Sequence, residues 1–113
     1  MRYIVTRHLG ALSWLKDRVG EPAVHIDHLD DLCMLQSGDT VYGTLPMHLV
    51  AEICARGVRY RHLEVELPKH LRGQDLTAEQ LTKLNAELVE YAVTRRTSHD
   101  RFLALGGDLE DLL

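Results

Sequence analysis

Two short segments combine residue types that can hold an anion and move a proton: Thr6-Arg7-His8 and Gly43-Thr44-Leu45-Pro46. Arg7 carries a permanent charge on a planar fork that suits an oxyanion. His8 is the side chain best matched to proton transfer near neutral pH. Each segment follows a β-rich run and leads into a helical pattern, and the free N–H groups of a helix start favour anions. Each residue also has a plainer reading. Arg7 is a solvated or ion-paired surface group, His8 only a positioning group, and Thr44 the cap of the helix that follows. The chain lacks a G-x-G-x-x-G turn and a phosphate-loop lysine, so no dinucleotide or ATP cofactor is expected. His25, Asp27 and His28 suggest metal ligands, but strand spacing puts His25 and Asp27 on one face and His28 beyond it. No metal site is expected there.

Strands and helices must position these segments, and their signals alternate along the chain. Arg2 to Thr6 reads as a strand, and a helix follows over about 10–18 with Leu12 and Leu15 inward and Gly20 as its stop. Ala23 to Ile26 is a second short strand. Leu29, Leu32 and Leu35 then suggest one inward-facing helical turn before a third strand over Thr40–Gly43. Pro46 suits a helix start, with Val50, Ile53 and Cys54 on the buried face and Gly57 past its end. Tyr60 to Leu67 is the clearest strand, because Leu63, Val65 and Leu67 alternate with His62, Glu64 and Glu66. Thr77 and Gln80 have capping-box spacing, and Leu76 with Leu81 has staple spacing. Leu81, Leu84, Leu88 and Tyr91 then predict a long final helix with Arg95 and Arg96 at its basic end. A last helical turn or two is expected over 98–105, followed by an acidic tail over 108–113.

This order predicts a single doubly wound, Rossmann-like α/β domain over residues 1–113, with four mostly parallel strands and flanking helices. If the second and third strands lie on opposite sides of the first, the order reverses between strands one and three. Ligands in such sheets bind outside the carboxyl ends at the reversal, where Arg7 and Thr44 meet.

Composition bounds the partners. The 113 residues carry a net charge of −4, with 13 basic against 17 acidic side chains, so duplex nucleic acid is not an expected partner. No run approaches the roughly 18 apolar residues of a membrane span, so no membrane association is expected. Cys33 and Cys54 form no disulfide framework and fit a reducing, cytoplasmic setting.

The motifs carry a family resemblance. Thr6-Arg7-His8-Leu9-Gly10-Ala11 with Trp14-Leu15 resembles the opening of the CRISPR-associated Csx-type family numbered sixteen. So do Gly38 to Pro46, Ala51 to Gly57, His62 to Pro68, and Leu71-Arg72-Gly73-Gln74-Asp75-Leu76. The match covers Tyr3 to about Leu84, and Leu9 is a departure, standing where the family has proline.

The resemblance implies a role in type III CRISPR immunity, as a ring nuclease that binds cyclic tetra-adenylate and cuts it to linear di-adenylate. It implies a reaction without metal or cofactor, in which a ribose 2′-hydroxyl attacks the adjacent phosphate. Arg7 would then hold phosphate, His8 would serve as acid or base, and Thr6, Gly43, Thr44 and Leu45 would contact ligand. Arg72 would close over the ring from a loop. The symmetry of the ring suits a two-fold homodimer. Two other functional readings remain open from sequence: a module that sequesters the same messenger uncut, and an interaction protein that dimerises through the fourth strand and long helix. Elsewhere, Trp14 reads as core or dimer interface, Cys54 as packing, and Glu64 and Glu66 as facing solvent or a partner.

Overall fold

The computed structural model describes residues 1–96. Strand β1 (Arg2–Val5) runs into helix α1 (Leu9–Val19), followed by β2 (Val24–Ile26), β3 (Thr40–Gly43), α2 (Met47–Ala55), β4 (Arg59–Glu64), α3 (Ala78–Lys83) and β5 (Glu87–Tyr91). The five strands form one sheet in the order β2-β1-β3-β4-β5. The first four strands in sequence are parallel, and β5 pairs antiparallel with β4, placing Tyr60 opposite Tyr91 and Glu64 opposite Glu87.

Strand alternation divides the apolar residues between two faces. Val5, Val41 and Tyr60 pack under α2 with Val50 and Ile53. Their neighbours Ile4, Tyr42 and Leu63 pack on the other face with Trp14 and Leu15 of α1 and Leu81 of α3. Trp14 is therefore core. Gly20 ends α1 at φ 78°, a left-handed backbone that glycine adopts without penalty. Between β2 and β3 the chain makes only a 3-10 turn over Leu32–Met34, and Leu29 and Leu35 are buried as their spacing predicts. Cys33 and Cys54 are free thiols.

The structure corrects the expectation of four Rossmann-like strands. The sheet has five strands, one of them antiparallel, and the β2–β3 crossover lacks a full helix. The correction comes from the expected long helix. The Thr77–Gln80 capping box forms, with Gln80 N–H donating to Thr77 Oγ1 at 3.1 Å and Thr77 N–H to Gln80 Oε1 at 2.9 Å. The helix nevertheless stops at Lys83, and Asn85 turns the chain at φ 60°. The open edge of β4 needs backbone partners, and residues 87–91 supply them. Leu88 still packs against the α1/α3 core, so a stripe with helical spacing is satisfied by a strand. Arg59 forks onto Glu90 across the pair at 2.6 and 3.2 Å. Strand β4 ends at Glu64 and is interior, and the long helix of the alternative reading, a dimer through the fourth strand and that helix, is not formed over the described residues. Arg95 and Arg96 follow a strand instead of ending a helix. The expectations for 98–105 and 108–113 lie outside the described residues.

Candidate functional site

Because β2 and β3 flank β1, the order reverses at β1 and a crevice opens outside its carboxyl end. Thr6 is buried there. Its N–H donates to the Ile26 carbonyl, and its Oγ1 accepts the His8 N–H, both at 3.2 Å. This tight turn leaves Arg7 and His8 exposed at the mouth. His25 Nε2 donates to the Thr6 carbonyl at 2.8 Å and lies 3.4 Å from Asp27, so it braces the turn. Among the described residues no group of three or more His, Cys, Asp or Glu side chains is placed to hold a metal ion.

The second segment is fixed by close packing. A Cβ on Gly43 would collide with the Val5 carbonyl, so glycine lets β3 approach β1 at this point. The buried Tyr60 hydroxyl accepts the Leu45 N–H at 2.9 Å and donates to the Gly43 carbonyl at 3.0 Å, holding the loop on both sides of Thr44. Burial pushes the Tyr60 phenol pKa up, partly offset by the Leu45 N–H, which keeps the hydroxyl a donor at neutral pH. Thr44 is exposed and its hydroxyl makes no hydrogen bond among the described residues. Pro46 is the N-cap residue of α2, with no side-chain cap bond, so Thr44 does not cap the helix.

These two segments converge. Thr6, Arg7, His8, Thr44 and Leu45 line one groove of about 440 Å³, together with His28 and the carboxylates of Asp27 and Asp30. Arg7 makes no hydrogen bond or ion pair among the described residues, which leaves its fork available. Across the loop, Thr6, His8, Gly43 and Thr44 also line a smaller groove of about 200 Å³ with Gln74 and Asp75. Five of the sequence-predicted site residues therefore meet in the larger groove, and Gly43 lines only the smaller one. Arg72 is exposed at the end of a 3-10 turn over Lys69–Leu71 and lines neither groove.

Asp75, three residues after Arg72, is the partner that sequence reasoning missed. Its Oδ1 lies 3.0 Å from His8 Nδ1. A carboxylate only accepts, so the imidazole donates through Nδ1 and presents Nε2 as a proton acceptor. Both groups are exposed, so their pairing orients the ring and contributes little stability, about 0–1 kcal/mol. The Asp75 loop reaches His8 because a Cβ on Gly10 would collide with the Leu76 carbonyl, and only glycine leaves room for it. The 67-residue separation of His8 and Asp75 hides the pair from any local motif. Tyr60 was equally hidden, reading as an ordinary strand aromatic.

The architecture and site define an α/β protein, five-stranded over the described residues, with an Arg-, His- and Thr-lined crevice at the carboxyl ends of its parallel strands. The chain belongs to the family described as "Putative CRISPR-associated protein (Cas_VVA1548)", whose model matches residues 3–94. No curated protein and no solved structure matches it. No helix among the described residues is long and apolar enough to cross a membrane.

Proposed function

We propose that this CRISPR-associated protein is a ring nuclease, akin to the Csx-type family numbered sixteen, that binds cyclic tetra-adenylate and cuts it to linear di-adenylate. The observation that carries the reading is the convergence, at the crevice outside β1 and β3, of a His8 oriented by Asp75 with Arg7 and the Thr44 hydroxyl, both without a hydrogen-bond partner among the described residues.

The reaction follows from these groups. His8 Nε2 takes the proton of a ribose 2′-hydroxyl, and the freed oxygen attacks the adjacent phosphorus. The bond from phosphorus to the 5′-oxygen breaks, and the imidazolium returns its proton to that leaving oxygen. The product ends in a 2′,3′-cyclic phosphate, with no net gain or loss of protons. Arg7 neutralises the phosphate oxygens, aided by free N–H groups at the α1 and α2 starts. Thr44 fixes the ribose or phosphate in line for attack. Arg72 approaches from the loop that carries Asp75.

One catalytic set cuts one bond, and two cuts release two di-adenylates. A two-fold dimer with both crevices facing one ring supplies both sets. Leu9 and Met47, 80% and 75% exposed at the starts of α1 and α2, give the crevice rim apolar surface for a second copy. The test is incubation with cyclic tetra-adenylate in chelator, with products separated by chromatography. Di-adenylate ending in a cyclic phosphate is expected. An intact ring that stays bound to the protein would instead indicate sequestration, and an unbound, intact ring would overturn the reading.

A further inference from the structure

Beside the crevice, on the α2 face of β4, lies a second groove of about 350 Å³. Leu45 lines both, so the two grooves adjoin at that side chain. Leu45, Met47 and Val50 form one wall, and His62, Glu64 and Tyr91 face it. The hydrogen bonding of Tyr60 determines what this second groove offers. Its hydroxyl has one proton and two lone pairs. The proton goes to the Gly43 carbonyl at 3.0 Å, and one lone pair takes the Leu45 N–H at 2.9 Å. With the hydroxyl proton on the Gly43 carbonyl, His62 Nδ1, 2.7 Å away, meets the remaining lone pair as an N–H donor. Neutral His62 then carries a bare Nε2, an acceptor. The Tyr91 hydroxyl donates to Glu64 Oε1, which uses up the Tyr91 proton and leaves Glu64 Oε2 as a second acceptor. Tyr91 also stands edge-on to the His62 ring at 6.0 Å and 82°, which holds the imidazole in place.

An apolar wall opposite two acceptors calls for a flat group that brings N–H donors. We infer that this groove takes an amino-bearing heterocyclic base, with the exocyclic amine donating to His62 Nε2 and Glu64, while the attached phosphate lies by Thr44 and Arg7. The inference rests on the ring-binding reading and extends it from phosphate recognition to base recognition.

The test compares dissociation constants for cyclic tetra-adenylate and cyclic tetra-inosinate, read by rapid mixing before turnover. Inosine replaces the amine with a carbonyl oxygen, which would face the two acceptors, and shifts the donor of that edge to N1. The wild type should prefer the adenylate ring by about tenfold or more. His62→Phe removes one acceptor, and Glu64→Gln supplies an amide N–H able to meet the inosine carbonyl. Each should bring the preference towards unity, a change in the ratio that general loosening of the fold would not produce. Equal wild-type affinities, or a preference kept in both variants, would overturn the base assignment alone. Failure of the wild type to bind either ring would overturn the ring-binding reading and this inference with it.

Discussion

Replacing Gly10 with alanine should separate Asp75 from His8 while leaving the sheet intact. The added methyl would collide with the Leu76 carbonyl and sit 3.0 Å from Thr77 Cα, backbone atoms that cannot swing aside like a side-chain tip. Such overpacking costs about 1–3 kcal/mol. Alanine in a helix gains about 1 kcal/mol over glycine, so the net loss of stability should be about 0–2 kcal/mol. The exposed His8–Asp75 contact holds the loop by at most about 1 kcal/mol, less than the strain. The cheapest relief is for residues 74–76 to move off α1, carrying Asp75 away. Urea unfolding followed by Trp14 fluorescence measures the stability term, and single-turnover cleavage of cyclic tetra-adenylate measures the site. Cleavage should slow by about tenfold or more, within the range general acid–base catalysis supplies. Gly20→Ala is the control. That glycine has φ 78° and open space around it, so the variant should lose stability with no change in rate. A wild-type rate in Gly10→Ala, at the expected stability, would refute the role given to Asp75.

Leu9→Pro should keep or raise stability, by up to about 1 kcal/mol. Leu9 is the first residue of α1, where the N–H has no intrahelical partner, and His8 already has the extended backbone (ψ 122°) favoured before proline; a fall in thermal midpoint would contradict this. Arg7→Ala should weaken ring binding by about 1.5–3 kcal/mol, as for a lost charge-assisted hydrogen bond, and titration at fixed salt should show it. Asp39, buried at the start of β3, accepts the Gln36 N–H at 2.8 Å, which lowers its carboxyl pKa with help from the Met1 amine. A lowered folded pKa contributes stability above the unfolded value of about 3.9, lost as pH falls below it. Urea unfolding at pH 7 and near pH 3 should therefore show a smaller acid loss in Asp39→Asn than in the wild type; equal losses would contradict it.

The sequence made the carboxyl-end crevice legible because its parts are local. Thr6 to His8 and Gly43 to Pro46 each lie beside the strand that delivers them, and strand order alone brings them together. The Thr77–Gln80 box marked a true helix start for the same reason. The last strand was not legible. Leu81, Leu84, Leu88 and Tyr91 have helical spacing, and only the unpaired edge of β4, a tertiary demand, decides that residues 87–91 extend. The His8–Asp75 and Tyr60–Leu45 contacts are likewise set by packing between distant segments. Gly10 was visible as a residue, but its reason, the Leu76 carbonyl above it, exists only in the fold.

His8, as proposed, moves the proton at the crevice where Arg7 and Thr44 converge. Single-turnover cleavage of cyclic tetra-adenylate by His8→Ala, with affinity measured on the same samples, tests it most directly. Affinity should stay nearly intact while the rate falls by about 10²–10⁴-fold. A wild-type rate in His8→Ala would contradict it.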